Sequence, residues 1–208
     1  MSSVPGPLTA ASFPDVLGAA KLGEEWAVVL LFTDLQPKLL RFLRGLEPSA
    51  ADDLAGDVWL ALARGIRGFE GDLIGLRALA FTIARRRAAD YRRSAGRRPA
   101  APTEREFFNA LAGPNDTARD VIERLSGQDA VDLMMATLPD EQAELLMLRV
   151  LGELDVLRVA EIMGRSPNWV RVNQHRALRR LAEALASVGA GNSVPGVIPG
   201  QQPAIYTS

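Results

Sequence analysis

An all-α protein of two small helical domains joined by a flexible linker is the architecture this 208-residue sequence predicts. Three observations lead there. Apolar residues recur at helical spacing through residues 24–94 and again from 118 onward, and no stretch alternates long enough to make a strand. Between the two helical parts, GRRPAAPTE and AGPNDT are rich in Pro, Gly, Ala and polar residues, the composition of a linker.

Taken in order, residues 1–23 read as a flexible N-terminal extension, without the basic start and continuous apolar core of a targeting segment. From Glu24 to about Leu46, a helix is expected on Trp26, Val29, Leu30, Leu39, Leu40, Leu43 and Leu46, broken or kinked at Pro37. A second helix opens at Ser49, a good N-cap, with Asp52 and Asp53 in its first turn and Leu54, Val58 and Leu62 as its buried stripe. GIRGFEGDLIG is a loop. A third helix, Leu76 to Ser94, would bury Leu79 and Ile83, with Ala80 and Ala84 beside them, and leave its arginines outside. The linker spans residues 95–118, with a short helical turn at Glu106 to Leu111. Helical spacing resumes through Val121, Ile122, Leu125, Val131, Met134, Met135 and Leu138, with a bend at Gly127 and a stop at Leu138-Pro139. Asp140 and Glu141 start the next helix, which runs to about Leu151. The second domain extends over 119–186. Residues 187–208 have no charged side chain and no helical period, and are expected to be disordered.

Composition narrows the function. With no cysteine, disulfides, thiolate metal sites and thiol catalysis are excluded, and the single histidine, His175, leaves no second imidazole for a metal cluster. We therefore expect no enzyme, no catalytic residue, no metal and no cofactor. No apolar run approaches the ~20 residues of a membrane span, so a cytoplasmic protein without membrane insertion is expected. The formal net charge is only −1, yet the charges are segregated. Residues 85–98 carry 7 basic and 1 acidic group, residues 99–147 carry 3 and 10, and residues 148–208 carry 7 and 4. Alternating zones of this kind suit a chain that meets a polyanion twice and a basic surface elsewhere.

The most specific stretch is LDVLRVAEIMGRSPNWVRVNQHRALRRL, residues 154–181. Asp155 caps a short helix with Val159 and Ile162 facing inward and Ala160 permitting close packing. Gly164 makes the turn, and Ser166 and Pro167 open a basic helix whose buried stripe is Val170, Ala177, Leu178 and Leu181. Short helix, glycine turn and capped basic helix spell a helix-turn-helix sized for the major groove. Arg171, Val172, His175 and Arg176 lie on or near its outer face, where an arginine can read guanine or hold phosphate. Trp169 is expected to pack inward.

Three fragments carry a family resemblance. ADDLAGDVWLALARGIRGFEGD is similar to the form DxxDLxQxxFLxxWxxxxxFxGD, RALAFTIARRRAADYRR to RxWLxxIAxNxxxDxxR, and LPDEQAELLMLRVLGELDVLRVAEIMGRSPNWVRVNQHRALRRLAEAL to the region 4 pattern LPxxxRxxxxLxxxxgxSxxEIAxxlgxsxgTVksrxxRAxxxLxxxL. In that order and spacing, from about Trp26 to Leu185, the chain resembles bacterial RNA polymerase sigma factors of the extracytoplasmic-function group in the sigma-70 family, which have only sigma regions 2 and 4. It departs from the patterns at Leu79, Arg86, Gly56, Asp155, Trp169, Asn173 and Gln174, and its loop from Phe69 is one residue longer.

The resemblance implies region 2 over 24–94 and region 4 over 119–186. It implies core RNA polymerase as partner, through the beta-prime clamp helices and the beta flap, with Asp53, Leu54 and Asp57 on the docking face. It assigns the minus-35 element to Ser166, Trp169, Arg171, Val172, His175 and Arg176. It assigns the minus-10 element, duplex and then single-stranded, to Phe69, Gly71, Asp72, Arg85, Arg86, Arg87 and Tyr91, with Arg92 and Arg93 adding charge. The linker would thread toward the RNA path, and an anti-sigma protein is a common partner in the family. Three consecutive arginines span ~200° of a helix, so only a subset can face one ligand. A stand-alone helix-turn-helix regulator explains residues 154–181 equally well but leaves the acidic helix and the loop-plus-arginine element idle. A basic membrane-surface helix over 76–94 fits poorly with its alanine-rich apolar face.

Overall fold

A computed structural model describes residues 6–96 and 127–191. The described residues form eight α-helices and one 3-10 turn, with no strand among them. The expected linker turn, the start of the second domain at 118–126 and most of the C-terminal tail lie outside them.

The first helix corrects the reading of residues 1–23 as a flexible extension. Helix α1 (Phe13–Leu22) buries Phe13, Val16, Leu17 and Ala20, an i, i+3, i+4, i+7 stripe laid against α2 (Glu25–Leu46). Gly23 ends it at φ 83°, where its N–H and that of Glu24 reach back to the carbonyls of Ala20 and Ala19. Pro37 neither breaks nor ends α2, which stays continuous while Leu35 and Leu39 hold its two sides in the core. Ala27, Leu31, Leu35, Leu39, Phe42 and Leu43 form its buried face, whereas Trp26 and Val29 are exposed. The run WAVVLLF is apolar all round, so periodicity alone could not orient that end.

Helix α3 (Ala51–Gly65) starts after Ala50 without a side-chain cap, so Ser49 does not cap it; Leu54, Val58 and Leu62 are buried as expected. A 3-10 turn, Ile66–Gly68, leads to α4 (Leu73–Ser94), which begins three residues before the expected start because Asp72 caps it. The inward face of α4 is Leu73, Leu76, Arg77, Ala80, Phe81, Ala84 and Ala88, while Leu79 and Ile83 are half-buried. One arginine is therefore inside. The small alanines let α4 lie close against α2 and α3, and Phe81 meets Phe42 edge to face at 5.1 Å.

The second half is α5 (Gly127–Thr137), α6 (Asp140–Val150), α7 (Val156–Met163) and α8 (Pro167–Gly191). Helix α8 continues past Ala186, so the first five residues of the expected disordered tail are helical. Pro139 separates α5 from α6, as the Leu138-Pro139 stop predicts. Gln142 through Leu148 are buried without interruption, so α6 is covered on every side. Helices α5, α7 and α8 cover part of it; α2 covers the rest, and α7 leans on α4. One apolar core runs through both halves.

Replacing Phe81 with alanine removes a fully buried ring from the α2–α4 contact. The free energy of unfolding in urea should fall by about 3–5 kcal/mol, whereas Leu22→Ala, at an exposed position, should change it by less than about 0.5 kcal/mol.

Candidate nucleic-acid and polymerase interfaces

The helix-turn-helix is assembled by local hydrogen bonds. Asp155 accepts the Arg158 N–H at 2.8 Å, Gly164 turns the chain at φ 65°, and the Ser166 hydroxyl accepts the Trp169 N–H at 3.1 Å. These are the predicted caps and turn, and they spend the Ser166 oxygen on the helix end rather than leaving it for a ligand. Pro167 stands first in α8, where no N–H is needed. The inward face of α8 is Val170, Asn173, Ala177 and Leu181. Asn173 is polar but satisfied: it accepts from Gln142 at 3.1 Å and donates to the Trp169 carbonyl at 3.0 Å, and Gln142 in turn accepts from Arg180 at 2.7 Å. This network locks α8 onto α6 and turns Arg171 fully outward, with Val172, His175 and Arg176 half-buried on its flanks. Trp169 packs half-buried against the core, as expected; the Arg165 guanidinium covers its ring at 5.2 Å and pairs with Glu141 at 2.7 Å.

The loop before α4 is shaped by its glycines. A Cβ at Gly71 would come within 2.9 Å of the Phe69 ring, which therefore folds back over the loop, half-buried. Asp72 accepts the Gly75 N–H at 2.7 Å, so its predicted place is at the helix cap. The arginines then divide by face. Arg85 is bound to Glu144 and to the Ile162 carbonyl, Arg87 lies 4.0 Å from Asp57, Arg92 bonds to buried Glu47 at 2.6 Å, and Arg93 pairs with Asp90. Arg86 is exposed, and Tyr91 packs half-buried on the core. A cleft of about 650 Å³ opens between α4 and α7, with Arg85, Arg86, Arg93 and Arg158 on its walls.

On α3, Asp53 and Asp57 are exposed on one face, but Leu54 is 6% exposed and belongs to the core. A leucine at that depth holds the bundle and presents no side chain to a partner, which corrects its placement on the docking face. Leu60, three residues beyond Asp57, is 57% exposed on the same side. Trp59 donates to Gln36 at 2.6 Å and packs against exposed Phe32 with ring centroids 5.0 Å apart and the rings tilted by 37°. The spacing Asp53, Asp57, Leu60 could have revealed this mixed acidic and apolar face.

Comparison with known proteins decides the family. Residues 31–98 match sigma-70 region 2 and residues 128–181 match sigma-70 region 4. The sigma factor SigD of Mycobacterium tuberculosis is 32% identical over 184 residues, covering 84% of both chains. The chain belongs to the extracytoplasmic-function sigma factors. ShbA of Streptomyces griseus, a sigma factor of the same group, is 32% identical over 173 residues, covering 76% of this chain and 87% of that one. Across 85% of the chain and 98% of the other, the fold is similar to that of CnrH, solved in complex with the cytosolic domain of CnrY, with a TM-score of 0.54 at 18% identity. This sigma factor is thus a DNA-binding transcription initiation protein, and α7 and α8 are the helix-turn-helix of its region 4.

Regions 2 and 4 of the sigma factor meet in a charged contact that sequence reasoning missed. Arg77, 6% exposed, faces both oxygens of Asp34 at 3.1 Å and donates to Glu153 of region 4. Lys38 joins the same two acids at 3.0 and 2.9 Å. Glu153 reaches them from a left-handed conformation, φ 54°, in the α6–α7 turn. Partial burial pushes its carboxyl pKa up, but the hydrogen bonds and charges of Lys38 and Arg77 outweigh that and hold it below the usual value. No signal in the sequence marks which acid answers Arg77, because the partners are far apart in the chain.

A depressed carboxyl pKa contributes stability that is fully present above its unfolded value and is lost as pH falls through its folded value. Melting temperature should therefore fall more steeply between about pH 5 and about pH 3 in the native chain than in Glu153→Gln, as followed by circular dichroism.

Proposed function

We propose that this sigma factor binds core RNA polymerase and directs initiation by reading two promoter elements, region 4 taking the minus-35 duplex and region 2 opening the minus-10 element. The observation that carries the reading is the capped, outward-turned basic face of α8 in a chain that also holds an arginine-rich α4 behind a glycine loop. Arg171 and Arg176 on α8 suit base edges or phosphates in the major groove, with Val172 and His175 beside them. Trp169, held by Arg165, borders that face. Phe69 over Gly71 offers a ring for an unstacked base, and Arg86 and Arg87, with Arg85 when released, supply backbone charge along the melted strand; Tyr91 flanks them.

On α3, Asp53, Asp57 and Leu60 form a surface fitted to the basic beta-prime clamp helices, while region 4 reaches the beta flap. Region 2, with α1 packed on its α2, and region 4 at 119–186 then lie on either side of a linker at 95–118. A protein partner of the anti-sigma kind fits the same surfaces, and the similar CnrH was solved with the cytosolic domain of CnrY. The place of action is the cytoplasm, where polymerase and promoters meet.

Purified chain and sigma-free core polymerase on pooled promoter fragments should yield transcripts that need both components. Tight duplex binding by the chain alone, with no complex and no transcript, would instead favour a stand-alone regulator. On a mapped promoter, Arg171→Ala should weaken binding of the polymerase complex by about 1–3 kcal/mol and relax the base preference at one minus-35 position, as measured by competition binding.

A further inference from the structure

Apolar packing alone does not set how α8 is turned about its own axis. Val170, Ala177 and Leu181 are fully buried, yet apolar contact has no direction, and the alanine in the middle of the stripe offers little to interlock. Hydrogen bonds supply the direction. Gln142, in the first turn of α6, donates to Asn173 at 3.1 Å. Arg149, in its last turn, donates to the Gln174 side-chain oxygen at 3.1 Å and to the Leu154 carbonyl just ahead of α7. Consecutive residues stand ~100° apart around a helix, so turning α8 either way stretches one tie or the other.

The first tie also has a single polarity. A guanidinium only donates, so Arg180, at 2.7 Å, must meet the oxygen of the Gln142 amide. That turns the Gln142 nitrogen to the Asn173 oxygen and leaves the Asn173 nitrogen for the Trp169 carbonyl at 3.0 Å, which only accepts. Neither amide can flip without setting like groups face to face at positions 8% and 9% exposed, where an unmade hydrogen bond is costly. The Trp169 N–H is held by Ser166, so both backbone polar groups of that residue are fixed. Asn173 and Gln174 are two of the positions at which the sequence departs from the family patterns, so the device belongs to this chain.

We propose that this directed chain of hydrogen bonds, from Arg180 through Gln142 and Asn173 to the Trp169 carbonyl, sets the base preference of the sigma factor at the minus-35 element. It fixes the rotation of α8, with Arg149 and Gln174 as the second tie, and thereby the angle at which Arg171 and Arg176 meet the groove. Gln142, Asn173 and Arg149 are positioning residues and touch no base. The inference rests on the reading of α8 as the minus-35 helix. Paired hydrogen bonds to a base edge depend on angle, whereas a phosphate contact tolerates rotation of a long side chain. Losing the relay therefore costs selectivity and leaves general affinity for duplex DNA in place.

The test uses the full chain bound to core polymerase and promoter fragments that differ at single minus-35 bases. In the native complex the tightest and weakest fragments should differ by about tenfold or more. Gln142→Glu keeps an acceptor for Arg180 but cannot donate to Asn173. Arg180→Met, at an exposed position, leaves the Gln142 amide free to flip. Each should compress the spread to about threefold or less. Arg179→Met, the exposed neighbour that pairs with Glu183, removes the same charge without touching the relay. It should weaken all fragments together and leave the spread intact. A native spread retained in both relay variants would overturn the proposal, and so would an equal compression in Arg179→Met. A native complex with no minus-35 preference would remove the promoter reading instead. The lock on α8 is then judged by side-chain amide exchange in the free chain, followed by NMR. Slow exchange of the Asn173 NH2 that becomes about tenfold faster in Arg180→Met supports the lock, and fast exchange in the native chain overturns it.

Discussion

Arg77 is a cation that water barely reaches, and much of the arrangement follows from that. An unpaired buried charge costs about 3–5 kcal/mol, so the guanidinium must be met by acids wherever α4 lies. Asp34 supplies one from α2 and Glu153 supplies the other from the turn between α6 and α7, with Lys38 tying the two acids together. One side chain thereby relates α2 and α4 of region 2 to the helix-turn-helix of region 4. With that turn drawn in, α7 comes to rest on α4 and α6 is buried on the side its own domain leaves open.

The charge pattern of the sequence gains a second meaning from this contact. The arginine block at 85–98 and the acidic block at 99–147 read as separate surfaces for DNA and for a basic protein. In the folded chain they partly answer each other through Arg85 and Glu144, while Glu47 and Asp57 take Arg92 and Arg87 within region 2. Basic density therefore overstates the number of cations on offer to a ligand. Arg86 and Arg171 are exposed, whereas Arg85 is held by Glu144 and the Ile162 carbonyl.

Local chemistry was the legible part. Asp155, Gly164, Ser166 and Pro167 lie where cap and turn rules put them, because each acts on backbone within four residues. The limits of the reading were tertiary. Helix α1 was hidden by a proline and glycine-rich neighbourhood, although Phe13, Val16, Leu17 and Ala20 had the right spacing. At the start of α2, Trp26, Val28, Val29 and Phe32 are exposed among equally apolar neighbours, so periodicity carried no direction. Leu54 has the polarity and spacing of a core residue, and only the family resemblance sets it beside the docking acids. Arg77 looked like surface charge because its partners are distant in sequence, and the same distance concealed the whole contact between the regions.

The contact between regions 2 and 4 organises the fold, and its charged seam is where it is tested most directly. Lys38 and Glu153 are 2.9 Å apart, and the chain has only one other lysine, Lys21, so a zero-length carbodiimide cross-link reports this contact cleanly by mass spectrometry. A Lys38–Glu153 cross-link is expected in the native chain, and Arg77→Ala, which removes the cation shared by Asp34 and Glu153, should weaken it. No such cross-link in the native chain would contradict the contact between the two regions.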